Sequence, residues 1–350
     1  MVIKESKNRY QELDALRGIA ALLVVFFHFT MLRDNYNSFF RLGTTGVDLF
    51  FIISGFVIFL SINQVSNAKE FIINRVSRLY PTYWASITFT FIFIATIALL
   101  NKTFGTEHLF LKYIANLSMF QFYFDTADLD GPYWTMIIEM LFYISILIFY
   151  RFKILNKIKI IGCVTCIVIL VFTNFFYDMA SIKLTFFWFP ILQFIPLFFA
   201  GIIFYKIYTE KKQKTINYLL ILFCLVCQIS LFPISGRSIL FINWLQYGSI
   251  LTVYFILFIL FINNKLKLII NRFTLYVGKI SFALYLTHQF ISLNYIIPYF
   301  HTELGINFWI VTIFINLPIL FVIASLITYK VEVPLSKKMK SKLLEKSQGS

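Results

Sequence analysis

The run Arg9–Thr30, RYQELDALRGIAALLVVFFHFT, is an apolar stretch that nevertheless carries Asp14, Arg17 and His28, residues able to do chemistry. It is long enough to cross a bilayer, and ionisable groups in lipid are costly enough to mark function. Arg17 and His28 are eleven positions apart. At 100° per residue this is three turns plus about 20°, so both share one helix face, roughly 16 Å apart along the axis. Asp14 lies a turn before Arg17 on nearly the same stripe. A guanidinium suits an anion, and an imidazole can take a proton from a hydroxyl as it attacks an acyl carbon. The spacing predicts a transmembrane active site with a cation near one surface and an imidazole in the far half.

Other polar residues extend the pattern. Counted from the outer helix ends, His28, Asp48 and Glu139 lie within roughly 6–11 Å of the outer boundary. They are expected to converge as an acid–base centre, with Glu139 or Asp48 tuning His28. The bland alternatives are a buried His28 bonded to a backbone carbonyl, an Asp48 that braces its helix end, and a Glu139 that bonds between helices. Near the inner side, Arg75 and Arg78 in NRVSRLYPTYW could join Arg17 in a phosphate-binding cluster, or serve only as topology signals. Lys279 is a weaker member. His288, expected near the middle of its helix, is a further candidate or a packed, hydrogen-bonded histidine.

The elements that must position these groups follow from composition. Hydrophobic residues make up 59% of the chain and charged ones 13%, with 44 Phe. Apolar runs of about twenty residues recur throughout, which excludes an ordinary soluble domain and predicts an all-α polytopic bundle. About ten spans are expected, near 12–32, 43–62, 79–100, 132–150, 158–177, 187–207, 215–232, 239–262, 275–298 and 306–329. Segment 110–124 is too short and polar to span and reads as interfacial. With both termini cytoplasmic, basic residues such as Lys4, Lys7, Arg9, Lys69, Arg151, Lys153, Lys265 and Lys267 fall inside, and Glu107, Asp125, Asp128 and Asp130 fall outside. The net charge of +15 thus reflects topology and anionic headgroups, and nucleic acid is not expected as a partner. Residues 1–333 form the bundle and 334–350 a short basic cytoplasmic tail on the inner membrane surface. The first apolar segment lacks a small-residue cleavage site and reads as a retained anchor. The pairs Cys163/Cys166 and Cys224/Cys227 sit in apolar runs without His or acid beside them. They read as packing residues, with neither a disulfide framework nor a metal site.

Several stretches taken in order, LDALRGIAALLVVFFHF, GVDLFFIISGFVI, NRVSRLYPTYW, YWTMIIEMLFY, GKISFALYLTHQF and YKVEVPLSKK, resemble the bacterial acyltransferase family 3 of integral membrane O-acyltransferases. The resemblance spans nearly the whole chain. It implies a protein of the bacterial cytoplasmic membrane that moves an acyl group, usually acetyl, from acyl-coenzyme A to a hydroxyl of a surface saccharide or its lipid-linked precursor. By motif it carries over His28 as the catalytic residue, Arg17 as its partner, Arg75 and Arg78 as the donor-binding pair, and Glu139 as the acid of the fourth helix. No fused esterase-like domain is expected. Direct transfer and an acyl-enzyme on His28 both stay open, as does association with polysaccharide-assembly partners or a second copy. From the residues alone, the rivals are a transporter of a lipid-linked sugar and a purely structural membrane partner.

Overall fold

The computed structural model describes residues 10–33, 39–100, 106–210, 213–234 and 238–348. Lys4, Lys7 and Arg9 lie outside the described residues. The elements in chain order are α1 (Gln11–Thr30), α2 (Arg41–Ile62), α3 (Ala68–Leu100), the short α4 (Thr106–Asn116), α5 (Gly131–Arg151), α6 (Leu155–Phe175), the short α7 (Ala180–Trp188), α8 (Pro190–Thr209), α9 (Lys214–Ser230), α10 (Trp244–Ile262), α11 (Arg272–Thr287), α12 (Gln289–Glu303) and α13 (Phe308–Glu345). No strand occurs among the described residues. The protein is a polytopic helical bundle.

Eight of these helices are long and apolar enough to span a membrane, and α11 with α12 makes a ninth if the bent pair is one span. The tenth expected segment is α9, an apolar helix of 17 residues. At 1.5 Å per residue it reaches about 26 Å, just short of a typical hydrocarbon core.

Two helices extend beyond their expected ends. α3 begins at Ala68 and runs through Pro81, where the expected start was 79. Proline removes one helical hydrogen bond, the one that Ser77 O would accept, and the helix nonetheless continues. Arg75 and Arg78 are therefore helical residues three apart, on one face. α13 passes Val333 without a stop, because the basic run after it contains good helix formers. Its last stretch packs along α3, so residues 334–348 are part of the bundle wall at this face as well as a basic tail.

α1, α2 and α8 are the most buried spans, while α3, α6 and α13 bury the least. α1 packs chiefly on α11, and α2 on α8. The α1–α11 crossing depends on glycine. A Cβ on Gly18 would lie 2.8 Å from Gly278 N and Thr274 O, and a Cβ on Gly278 would overlap Asp14 O. Without a hydrophobic drive between helices in lipid, small residues that let backbones touch supply the van der Waals contact.

α6 and α9 bring the two cysteine pairs together, with Cys166 beside Cys227. All four thiols are free. Among the described residues no group of three or more His, Cys, Asp or Glu side chains is arranged to hold a metal ion.

Candidate active site

A cavity of about 120 Å³ opens between α1, α2, α3, α5 and α11. Its polar lining includes Arg17, Ser54, Arg75, Arg78, Glu139, Tyr143, Lys279 and Glu332. A wider vestibule of about 790 Å³ shares Arg17, Arg75, Arg78, Lys279 and Glu332 with it, so the two spaces adjoin at a ring of charges. Ser336, Lys337 and Lys340 of α13 complete the vestibule wall.

The ring is built from residues that hold one another in place. Arg17 Nη1 lies 3.8 Å from Asp14 Oδ1, one turn away on α1. Arg75 donates to Ser61 Oγ at 2.9 Å, and its guanidinium lies 6.0 Å from the Tyr143 ring centre. Glu139 accepts from Ser54 Oγ at 3.2 Å and from the Tyr143 hydroxyl. Arg17 has Arg78 and Glu139 among its charged neighbours. Lys279 caps the Tyr329 ring at 4.3 Å. Planar guanidinium forks whose partners leave donors unused are well suited to phosphate oxygens.

At its far end the cavity stops at a hydrogen-bonded layer. The Tyr285 hydroxyl meets Thr135 Oγ1 at 3.0 Å and Pro132 O at 3.2 Å. Tyr285 lines the cavity and also packs on His288, with ring centres 5.9 Å apart. Beyond it lies a pair of imidazoles: His288 Nε2 is 3.0 Å from His28 Nδ1.

The pair has a defined proton order. His288 Nδ1 is 2.7 Å from Tyr285 O. A carbonyl only accepts, so this nitrogen carries the hydrogen and the neutral ring presents a lone pair at Nε2. His28 Nδ1 faces that lone pair and also Val24 O at 2.9 Å. Both are acceptors, so His28 is protonated at Nδ1. Its Nε2 is then the nitrogen that takes up or gives a proton. His288 sits at the 61° break between α11 and α12. Asp130 holds that break, accepting from Gly131 N at 2.7 Å and from Phe290 N at 3.2 Å. A broken transmembrane helix is stable where such groups satisfy its freed backbone.

The expected acid–base centre is therefore rearranged. Glu139 differs from the expectation in position along the axis as well as in azimuth, because it lies with Arg17, about three turns of α1 away from His28. Glu139 turns to α2 and joins the arginine ring. Asp48, buried on the opposite side of α2, faces Tyr247 of α10. The hydrogen-bond partner that the fold gives His28 across helices is His288 rather than either acid. Asp14 and Arg17 line one mouth together with Arg75 and Arg78, which the sequence left open between a cluster with Arg17 and topology signals. Sequence reasoning missed Glu332, Tyr143, Ser54 and Tyr285. Glu332, an acid inside the apolar-to-basic stretch YKVEVP, could have been found by the same intramembrane-charge argument that picked out Arg17.

Replacing His288 tests the proton order. His288→Ala should lower turnover by about 10- to 100-fold, the range of a lost orienting partner, with the donor KM unchanged. His288→Gln, whose carbonyl can accept from His28 Nδ1, should recover part of the loss. Equal loss in both variants would assign His288 a packing role only.

A family model described as an acyltransferase domain matches residues 10–329. The chain belongs to acyltransferase family 3. The acyltransferase is similar to a putative acetyltransferase, ORF330, of Acidianus two-tailed virus, 27% identical over 295 residues that cover 81% of this chain and 83% of that protein. It is also similar to nodulation protein 10 of Rhizobium leguminosarum bv. viciae, 25% identical over 164 residues, 41% of this chain and 45% of the relative. A third relative is the peptidoglycan O-acetyltransferase OatA of Listeria monocytogenes, 29% identical over 154 residues, which span 40% of this chain and 24% of OatA. No solved structure matches the acyltransferase. Family membership makes the protein a membrane O-acyltransferase, and the transporter reading gives way.

Proposed function

We propose that the acyltransferase takes its acyl group, acetyl, from acyl-coenzyme A on the cytoplasmic side of a bacterial inner membrane and passes it to a hydroxyl of a surface saccharide or its lipid-linked precursor. The observation that carries this reading is the charged ring shared by vestibule and cavity, with Arg17, Arg75 and Arg78 together at the junction. A diphosphate held there leaves a narrow arm to extend through the cavity as far as Tyr285; His28 and His288 do not line the cavity, so the layer of Tyr285, Thr135 and Pro132 must part for the thioester to reach them. OatA, a relative that by name acetylates peptidoglycan, favours a saccharide as acceptor.

In this mechanism the acceptor oxygen attacks the thioester carbonyl carbon. His28 Nε2 takes the hydroxyl proton as the C–O bond forms, and the C–S bond breaks as the tetrahedral carbon collapses. The proton then passes from His28 to the thiolate that leaves. Glu139 keeps the arginine ring ordered from the cavity side, and Arg17 links that ring to the helix that bears His28.

Labelled acetyl-coenzyme A supplied with membranes that carry the protein should lose its label to a base-labile ester on glycan. Label that stays wholly on the coenzyme in the presence of acceptor would overturn the reading. Arg78→Ala should raise the donor KM by about 10- to 100-fold, the loss expected for charge-assisted hydrogen bonds worth about 1.5–3 kcal/mol, and leave the acceptor KM near wild type. A rise confined to the acceptor KM would move the donor site elsewhere.

A further inference from the structure

This inference rests on the acyl-coenzyme A reading and extends it to the rest of the donor. The cations at the mouth form two tiers. Arg17, Arg75, Arg78 and Lys279 line both cavity and vestibule, whereas Lys337 and Lys340 line the vestibule alone. Lys337 and Lys340 are three apart on the last stretch of α13, so they share a face, and both are exposed. That stretch packs on α3, the helix that bears Arg75 and Arg78. Six cations face three carboxylates around the vestibule.

A second observation points to a ligand in the same space. Asn74 Oδ1, Thr328 Oγ1 and Ser336 Oγ are buried and have no hydrogen-bond partner among the described residues. All three residues line the vestibule. Buried polar atoms without partners are uncommon and cost about 1–3 kcal/mol each. Carried on α3 (Asn74) and α13 (Thr328 and Ser336), which pack together, they fit a polar ligand that supplies the missing bonds. One anionic group needs one tier of cations. Two tiers suit a ligand that carries two separated anionic groups on one framework.

We propose that Lys337 and Lys340 form a second phosphate subsite, which takes the phosphomonoester on the ribose of the donor nucleotide, while the arginine tier takes its diphosphate. The C-terminal helix thereby selects coenzyme A over acyl donors that lack a nucleotide phosphate. An anionic lipid headgroup offers the same phosphate chemistry, so the test separates the two sources.

The full-length protein in phosphatidylcholine nanodiscs is titrated with acetyl-coenzyme A and with acetyl-3′-dephospho-coenzyme A. Wild type should bind the second about ten-fold more weakly, the size of one charge-assisted contact. The double variant Lys337→Gln/Lys340→Gln should bind acetyl-coenzyme A about ten-fold more weakly than wild type and no longer distinguish the two thioesters. A double variant that still discriminates as wild type does, or a wild type that never discriminates, would overturn the subsite. An effect that appears only when anionic lipid is added, with discrimination intact, would assign the lysines to headgroups and overturn it too. A wild type that binds neither thioester would instead bring down the coenzyme reading on which the subsite stands.

Discussion

His28→Ala should reduce acyl transfer by about 10³-fold while acetyl-coenzyme A still binds with wild-type affinity. The rate loss is within the range of a positioned general base and corresponds to about 4 kcal/mol of transition-state stabilisation. The binding half follows from the geometry. The arginine ring is built on Asp14, Ser61, Glu139 and Tyr143, none of which touches the imidazole pair through a described hydrogen bond. The ring therefore survives the loss of His28. Turnover by quantitative product assay and donor binding by titration read the two effects separately. Full activity in His28→Ala at normal expression would remove the imidazole from the reaction. A parallel loss of donor binding would mean that the two ends of the site are one structural unit.

Gly278→Val should damage both ends at once. The first side-chain atom at this position already overlaps Asp14 O across the α1–α11 crossing, and neither backbone can yield without separation of the helices. Overpacking of this kind costs about 1–3 kcal/mol, at times more. The separation would also break the 3.0 Å contact between His28 on α1 and His288 at the end of α11, and shift Arg17 out of the ring. The expected result is a lower melting temperature in detergent together with a fall in transfer of at least about 10²-fold, since misplacement of about 1 Å suffices for that. Gly248→Ala is the control: its added carbon meets only Ile229, at 3.5 Å, an ordinary contact, and both readouts should hold. Unchanged melting and activity in Gly278→Val would show that the crossing is not closely packed in the membrane.

Much of this site could be read from the chain. Periodicity alone put Arg17 and His28 on one face of α1, and the structure places Arg17 in the charged ring and His28 against His288. The helical bundle followed from run length. What stayed hidden was azimuthal or non-local. Residue counting gives depth along an axis, but nothing in GPYWTMIIEMLFY states that Glu139 turns to Ser54. The break at His288 has no glycine or proline at that residue to announce it. It is held from another part of the chain, by Asp130. The span expected from residue 79 begins at Ala68 instead, and the basic stretch after Val333 resembled a free tail because its partner helix, α3, lies far away in sequence.

The hydrogen-bonded layer of Tyr285, Thr135 and Pro132 has a consequence for the cell rather than for the reaction. Charged groups on one side of it and imidazoles on the other would conduct protons if water joined them, and a conducting path across a membrane dissipates an electrochemical gradient. The closed layer, with neither His28 nor His288 in the cavity lining, interrupts such a path.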